Sequence, residues 1–333
     1  MATGLTVYNG SISPRVGIVA EAKMLARAQS DAVLAKFADP HVMPANKGLQ
    51  LRMRRILPYG PLVSPVQEGI IPLAQNPIVE DIPAILDQYI SLQRLTDVIT
   101  DFHEDAILNE MTDLASQQIV ETKEYQAWQV ARAGATVGFT NGVVRTSVNT
   151  VLSLPAIRRA VRALQAQRGI PVTKMISPEV KIGTRAIEPS FIAMGHTDLA
   201  ADIRALPGFL PKEAYASYKP FSMWELGSVD NIRFVLTPWF TPFLNAGGAP
   251  GGTVLSSAGA AADVYPLILI CQSAFGVVNA SGQGDIKLIV LNPDKADSGN
   301  PTAQIGSVAA KTWFKFVIQN DAWVYRLETA ASV

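Results

Sequence analysis

Between Asp101 and Ala133 no proline interrupts the chain, and this stretch constrains the fold more than any other. Asp101-x-x-Glu104 has the form of a capping box, whose carboxylates accept from the free N–H groups at a helix start. Asp101, Glu104 and Asp105 put negative charge at the positive end of the helix dipole, and Arg132 sits near the negative end. Gly134 offers a left-handed stop. A single helix over 101–133 is a rod of roughly 50 Å, several times the usual length. In its first half Leu108, Met111, Ala115 and Ile119 form one apolar stripe, flanked by Ile107 and Leu114. In its second half Tyr125 and Trp128 lie on one side, and Val120, Ala127 and Ala131 on another. A rod whose buried face changes along its length meets different partners at its two ends. The residues also allow a plainer alternative, a long core helix of an α/β enzyme.

The chain supports a sizeable core and extra apolar surface, since 48% of its 333 residues are hydrophobic and only 17% charged. Such a surplus suits an obligate assembly. Lys+Arg and Asp+Glu each total 28, so no global field recruits nucleic acid or a membrane. The lone Cys271 lies in an apolar run and reads as a small buried hydrophobe. The N-terminus has no basic region followed by an apolar one, and no apolar run approaches membrane-spanning length. The expectation is a protein made and folded in a cytoplasm.

Taken in order, residues 1–48 hold one helical pattern, Gly17–Phe37, between polar connectors, and read as an arm. Leu49 to Arg54 alternates strictly, with Leu49, Leu51 and Met53 on one face, so it is a half-buried strand. Ala84 to Ile99 is strand-like, with Leu86, Ile90 and Leu92 on one parity. Between these runs stand Pro58, Pro61, Pro65, Pro72, Pro77 and Pro83, which make the segment extended and stiff. Such a connection is too long for an ordinary loop and predicts a two-stranded projection. After the rod, Pro155 starts a helix that Gly169 ends, with Ile157, Val161 and Leu164 buried and Arg158, Arg159 and Arg162 forming a basic face. Lys174–Ile176, Arg185–Ile192, Ile232–Thr237 and Val264–Cys271 read as strands, and Thr197 as the cap of a helix stopped at Pro207-Gly208. Asn245–Gly252 and Asn292–Pro301 are turn-rich insertions. Thr312–Gln319 and Ala322–Glu328 form two β-rich runs around an Asn320-Asp321 turn. The pattern is α+β with two intertwined domains.

Motifs of catalysis are scarce. His41, His103 and His196 are isolated and no Cys-x-x-Cys exists, which argues against zinc. His196-Thr-Asp198 invites a dyad, but a helix cap explains Thr197 and Asp198 better. Gly282-Gln-Gly-Asp285 lacks the context of a dinucleotide loop and reads as a turn. Glu104, Asp105 and Glu110 suit a solvated helix face better than a pair of catalytic acids. Arg52/Arg54/Arg55 and Arg158/Arg159/Arg162 are basic clusters that fit a solvated face, phosphate contact or salt bridges, and spacing does not choose.

A resemblance fits these features together. Arg54-Arg55-Ile-Leu-Pro58, Val66-Gln-Glu-Gly69-Ile-Ile-Pro72, Leu86-Asp-Gln-Tyr89 and Leu95-Thr-Asp97 stand in the order seen in a major capsid family of tailed bacteriophages, which includes the coat protein of a podovirus of enteric bacteria. Phe191-Ile-Ala-Met-Gly-His196 with Asp198-Leu199, and Glu225-Leu-Gly227 followed by Ile232-Arg-Phe-Val235, extend the resemblance over roughly residues 20–325. Two positions depart from it: Ile90 follows Tyr89 where the family has glycine, and Ala310-Lys-Thr-Trp313 lacks a late glycine.

The resemblance implies the tailed-phage capsid fold, shared with the herpesvirus capsid floor and encapsulin shells. The N-terminal arm is then 1–48, the extended loop and its base strands 49–99, and the peripheral domain 100–149 with its spine helix at 101–133. An axial domain at 150–300 and C-terminal strands at 301–333, returning to the peripheral domain, complete it. The implied function is a non-enzymatic subunit that self-assembles into hexamers and pentamers of an icosahedral head around double-stranded DNA. An encapsulin-type compartment shell and a cytosolic α/β enzyme with a proline-rich lid are the alternatives. No cofactor or metal is expected, and no membrane. Arg52, Arg54, Arg55, Tyr59, Glu68, Ile70, Ile71, Leu73, Glu80 and Asp81 are the expected contacts between subunits. The loop strand begins near Leu49, leaving no room for a fused scaffolding segment, so the scaffold is expected to be a separate protein. Portal and decoration proteins, and packaged DNA met without sequence specificity, are the other expected partners, in a virion assembled in the host bacterial cytoplasm.

Overall fold

The computed structural model describes residues 5–6, 32–44, 46–62, 65, 68–69, 71, 74–102, 107–134, 136–176, 184–215, 220, 222–280, 286–293, 296 and 299–333. In chain order the first half comprises strands Leu5–Thr6 (β1), Asp39–Met43 (β2), Gln50–Ile56 (β3), Val79–Ile85 (β4) and Asp87–Thr96 (β5), helices Asp97–Phe102 (α1) and Ile107–Arg132 (α2), and strand Thr136–Phe139 (β6). Helix Leu154–Ala166 (α3), strands Val172–Ile176 (β7) and Thr184–Gly195 (β8), helix Ala200–Arg204 (α4), and strands Leu210–Pro211 (β9), Glu225–Val229 (β10) and Ile232–Leu236 (β11) follow. The chain closes with Tyr265–Ile270 (β12), Phe275–Ala280 (β13), Lys287–Leu291 (β14), Ile305–Ile318 (β15) and Val324–Thr329 (β16).

Fourteen of these strands lie in two sheets, and β3 and β4 pair with each other. One runs β1-β5-β15-β13-β2, with β14 also on β15, and the other runs β6-β16-β12-β8-β11-β10-β9, with β7 on β8. The α2 rod joins them. Met111, Ala115 and Ile119 of its first half pack on Leu95, Val308 and Ala310 of the first sheet. Ala127, Trp128 and Ala131 of its second half enter the large core around the second sheet. There Trp128 is fully buried and stacks on Phe240 with ring centroids 4.3 Å apart. The rod therefore meets a different sheet at each end, and Tyr125 faces solvent.

Several expectations change at the ends of elements. Helix already begins at Asp97, so Asp101 lies within α1 and not at a helix start, and residues 103–106, with His103, Glu104 and Asp105, lie outside the described residues between α1 and α2. Gly134 is not left-handed, since its N–H reaches the Ala131 carbonyl at 3.3 Å and the chain turns directly toward β6. After α3 the left-handed residue is Arg168 (φ 54°), one position before the expected Gly169. The cap of the turn leading into α4 is His196, whose ring accepts from the Asp198 N–H, and not Thr197. Most of the expected 17–37 helix and the Gly282–Asp285 turn fall outside the described residues; the described end of the first, Leu34–Phe37, is a short 3-10 turn.

The C-terminal strands do not form a hairpin. β15 pairs with β5, β13 and β14 in the first sheet, whereas β16 pairs with β12 and β6 in the second. β13 and β14 join the first sheet although they precede residue 300, and β6 joins the second although it precedes residue 150. Sheet membership thus crosses the expected boundaries, because long-range pairing decides it.

Candidate assembly surface

The expected projection is a two-stranded antiparallel ribbon, β3 with β4, in register from Gln50–Ile85 to Ile56–Val79. Its base packs against the body, where Ala84 and Leu86 join Met43 and Val278, with Leu51 and Met53 beside them. The returning strand starts at Val79 and includes Pro83, which a two-stranded ribbon tolerates because one edge is free. Beyond the base every described residue from Pro58 to Asp81 is exposed. Leu62 is 84% exposed, Ile71 93%, Ile78 66% and Ile56 64%, so these aliphatic side chains stand in water. A cleft of about 650 Å³, lined by Met53, Leu57, Ile82, His41 and Trp323 among others, separates the ribbon from the body.

The charges on this ribbon pair with one another. Arg54 and Asp81 are direct cross-strand neighbours, with Arg54 Nε and Nη2 donating to the two carboxylate oxygens at 2.8 and 3.1 Å. Arg55 and Glu80, the next pair, are likewise bonded, with Nε to Oε2 at 3.2 Å. The hydrogen bond from Arg54 holds the Asp81 carboxyl below its usual range. These four side chains fix the register of their own hairpin, so the contact between subunits expected of them is not required to satisfy their charges. Tyr59 Oη donates to the Gln75 carbonyl at 3.3 Å, closing the outer part of the loop. Arg52, Glu68 and Ile71 are exposed, and Ile70 and Leu73 lie outside the described residues. The other basic cluster is also engaged in part: Arg158 bonds Asp230 at 2.9 Å and Arg159 donates to the Phe139 carbonyl at 3.0 Å.

A second apolar surface was missed by sequence reasoning. On β5 the burial alternates so that Ser91 and Leu95 face α2 while Ile90 and Leu92 face outward. Leu86, between β4 and β5, donates its N–H to the Leu49 carbonyl at 3.0 Å and is buried, so it does not share a face with the exposed Ile90 as expected. Cross-strand register places Ala309 beside Leu92, and Ile289 beside Ala309. Ile90, Leu92, Ala309, Ile289 and Leu291 therefore form one outer apolar face. Four of them are 40–57% exposed, and Arg94, Lys287 and Lys311 share the face. β14 is an edge strand whose five residues are all exposed, and among the described residues it pairs only with β15. An apolar edge of this kind invites pairing with another chain.

Catalytic geometry is not assembled at the sites considered. His196 Nδ1 and Tyr265 Oη both approach Asp198, at 3.1 and 2.8 Å, but the group caps a turn. Among the described residues no cluster of three or more His, Cys, Asp or Glu side chains is placed to hold a metal ion. Cys271 is buried, and burial pushes its thiol up to about 12.

The family model described as "Phage capsid protein" matches residues 80–324. The chain belongs to this phage capsid protein family. The major capsid protein of Pseudomonas phage KPP21 is 22% identical over 264 residues, covering 74% of this capsid-family chain and 66% of that protein. The match thus spans just under two thirds of the relative's own length. Among solved structures, the capsid of Ralstonia phage GP4 superposes with a TM-score of 0.67 at 12% identity, over 96% of each chain. The head of Helicobacter pylori bacteriophage KHP40 gives 0.62 at 13% identity over 96% of each chain. The capsid of cyanophage P-SCSP1u gives 0.60 at 10% identity over 95% of this chain and 94% of that one. The mixed helix and sheet architecture is therefore the phage capsid fold. Family membership favours a phage capsid protein over the compartment-shell and enzyme alternatives.

Proposed function

We propose that this capsid-family chain is the major shell subunit of an icosahedral phage head. It self-assembles into hexamers and pentamers through the projecting ribbon, whose tip covers the outer β14–β15–β5 face of an adjacent copy. One observation carries the reading: a single chain presents two apolar surfaces that do not cover each other's needs within one copy and that differ in charge. Residues 57–79 have Glu68 as their one charged side chain, whereas Arg94, Lys287 and Lys311 accompany the sheet face. Covering Ile56, Leu62, Ile71 and Ile78 contributes on the order of 6 kcal/mol before ordering costs, and complementary charge favours the right partner. Each subunit both gives and receives a ribbon, so modest contacts add around a closed ring. On this reading the regions around the first and second sheets are the peripheral and axial parts of the subunit. Double-stranded DNA, met without sequence specificity, a separate scaffold, a portal and decoration proteins complete the particle, which assembles in the host bacterial cytoplasm.

Two variants test it. Replacing residues 60–78 by a short Gly/Ser linker, and separately Leu92→Glu, are each expected to leave soluble subunits with a cooperative melt that no longer close into shells. Sedimentation velocity and negative-stain microscopy read the outcome. Normal shells from either variant, or a linker variant that unfolds, overturns the proposal.

A further inference from the structure

Three guanidiniums converge where the end of α2 meets β16 and the short turn Arg145–Ser147. Arg326 donates to the backbone carbonyl of Arg132 at the end of α2. Arg145 holds Glu328 through two bonds of 2.8 and 2.7 Å, and Arg326 Nε lies 2.9 Å from the same carboxylate. Phe243, tied to Val264 by paired backbone bonds of 2.8 and 2.9 Å, contacts two of them: Arg145 at 3.6 Å and Arg132 at 4.6 Å from its ring centre. Among the described residues Arg132 itself bonds only neutral oxygens, the Thr241 carbonyl at 3.4 Å and Gln129 Oε1 at 2.7 Å. Three positive charges thus face one carboxylate and about half an elementary charge from the helix C-terminus. Burial and the neighbouring arginines pull Arg132 and Arg326 below their usual values, as expected of cations short of a counter-ion. The surplus is local, because the flanking segments 133–144 and 241–262 have no charged residue and the chain as a whole is neutral.

We propose that the Arg132 guanidinium, backed by Arg145 and Arg326, is a receptor for a carboxylate side chain of a second copy of this chain. The proposal rests on the shell reading and adds a specific polar contact to it. An extended basic track would fit a nucleic-acid backbone; a single part-buried site, stacked on Phe243 and flanked by segments without charged residues, fits one carboxylate met by a preorganised planar fork. A neutral chain that concentrates positive charge here must expose the matching negative charge elsewhere, and in an assembly of identical copies that charge arrives on a neighbour.

The test compares wild type, R132Q and R132K. R132Q is expected to fold and to raise the threshold concentration for assembly about tenfold at low salt, with the difference shrinking at high salt. In R132K particles assembled from mixed isotope-labelled and unlabelled copies, carbodiimide is expected to join position 132 to a carboxylate of the other copy, read by mass spectrometry. An unchanged R132Q threshold, or linkage to Glu328 within one copy only, overturns the receptor while leaving the shell reading intact. Loss of DNA retention in R132Q without any inter-copy linkage overturns it in favour of a phosphate contact. A wild-type chain that stays monomeric refutes the shell reading itself, and the receptor with it.

Discussion

Glu328→Gln removes one negative charge from a side chain with no solvent exposure while keeping its volume, so the effect is electrostatic and free of a cavity. The wild-type carboxylate takes two charge-assisted bonds from Arg145 and faces Arg326 at 2.9 Å. The amide keeps one acceptor and turns an N–H group toward a guanidinium. Arg145, with 33% of its side chain exposed, can recover part of the loss by turning to water. Arg326, 13% exposed, cannot. Breaking such a pair costs about 3–5 kcal/mol when the remaining charge is trapped, and partial relief at Arg145 puts the expectation near 3 kcal/mol. Urea unfolding of dissociated subunits measures it, with circular dichroism and tryptophan fluorescence as independent probes. The double variant with Arg145→Gln should lose clearly less than the sum of the two single losses, because each single change already breaks the same contact. A loss below about 1 kcal/mol for Glu328→Gln, or strict additivity in the cycle, refutes the argument that this carboxylate neutralises the cluster.

Two further outcomes follow from other parts of the fold. Asp81 has a folded value below its unfolded one, so its contribution to the hairpin is present above the ordinary Asp range of about 3.9 and is lost as pH falls through the lowered value. Its carboxyl carbon should titrate below that range by NMR and return toward it in Arg54→Gln; an unshifted wild-type midpoint contradicts the pair. Glu124, buried on α2, accepts from the Leu34 N–H with both oxygens at 2.9 and 3.2 Å, so Glu124→Ala should loosen residues 33–38 from the rod and speed exchange of the Leu34 amide about tenfold or more. Unchanged exchange there means that packing of Val33 and Leu34 alone holds the segment.

Local patterns were legible in the chain itself. The spacing of Met111, Ala115 and Ile119 specified the buried stripe of α2, and the alternation after Gln50 specified the half-buried face of β3. The prolines between Pro58 and Pro77 anticipated that the described residues of this stretch are exposed and join no helix or strand, since proline neither donates to a ladder nor leaves its φ free. Tertiary structure decided what periodicity leaves degenerate. β5 has the adjacent aliphatics Ile90 and Leu92 on one parity and Ser91 between polar neighbours on the other, so the middle of the strand favours the wrong face. α2 covers the Ser91 side, where Ser91 Oγ donates to Gln118 Oε1 at 2.5 Å and Leu95 fills the core. Likewise, nothing in the run from Ile305 to Thr329 shows that β15 and β16 part into different sheets. Arg54 with Asp81, and Arg145 with Glu328, are 27 and 183 residues apart in sequence. Charges at such separations become partners only when the folded backbone brings them within a few ångströms, because the Coulomb energy of a pair depends on distance in space and not on position along the chain.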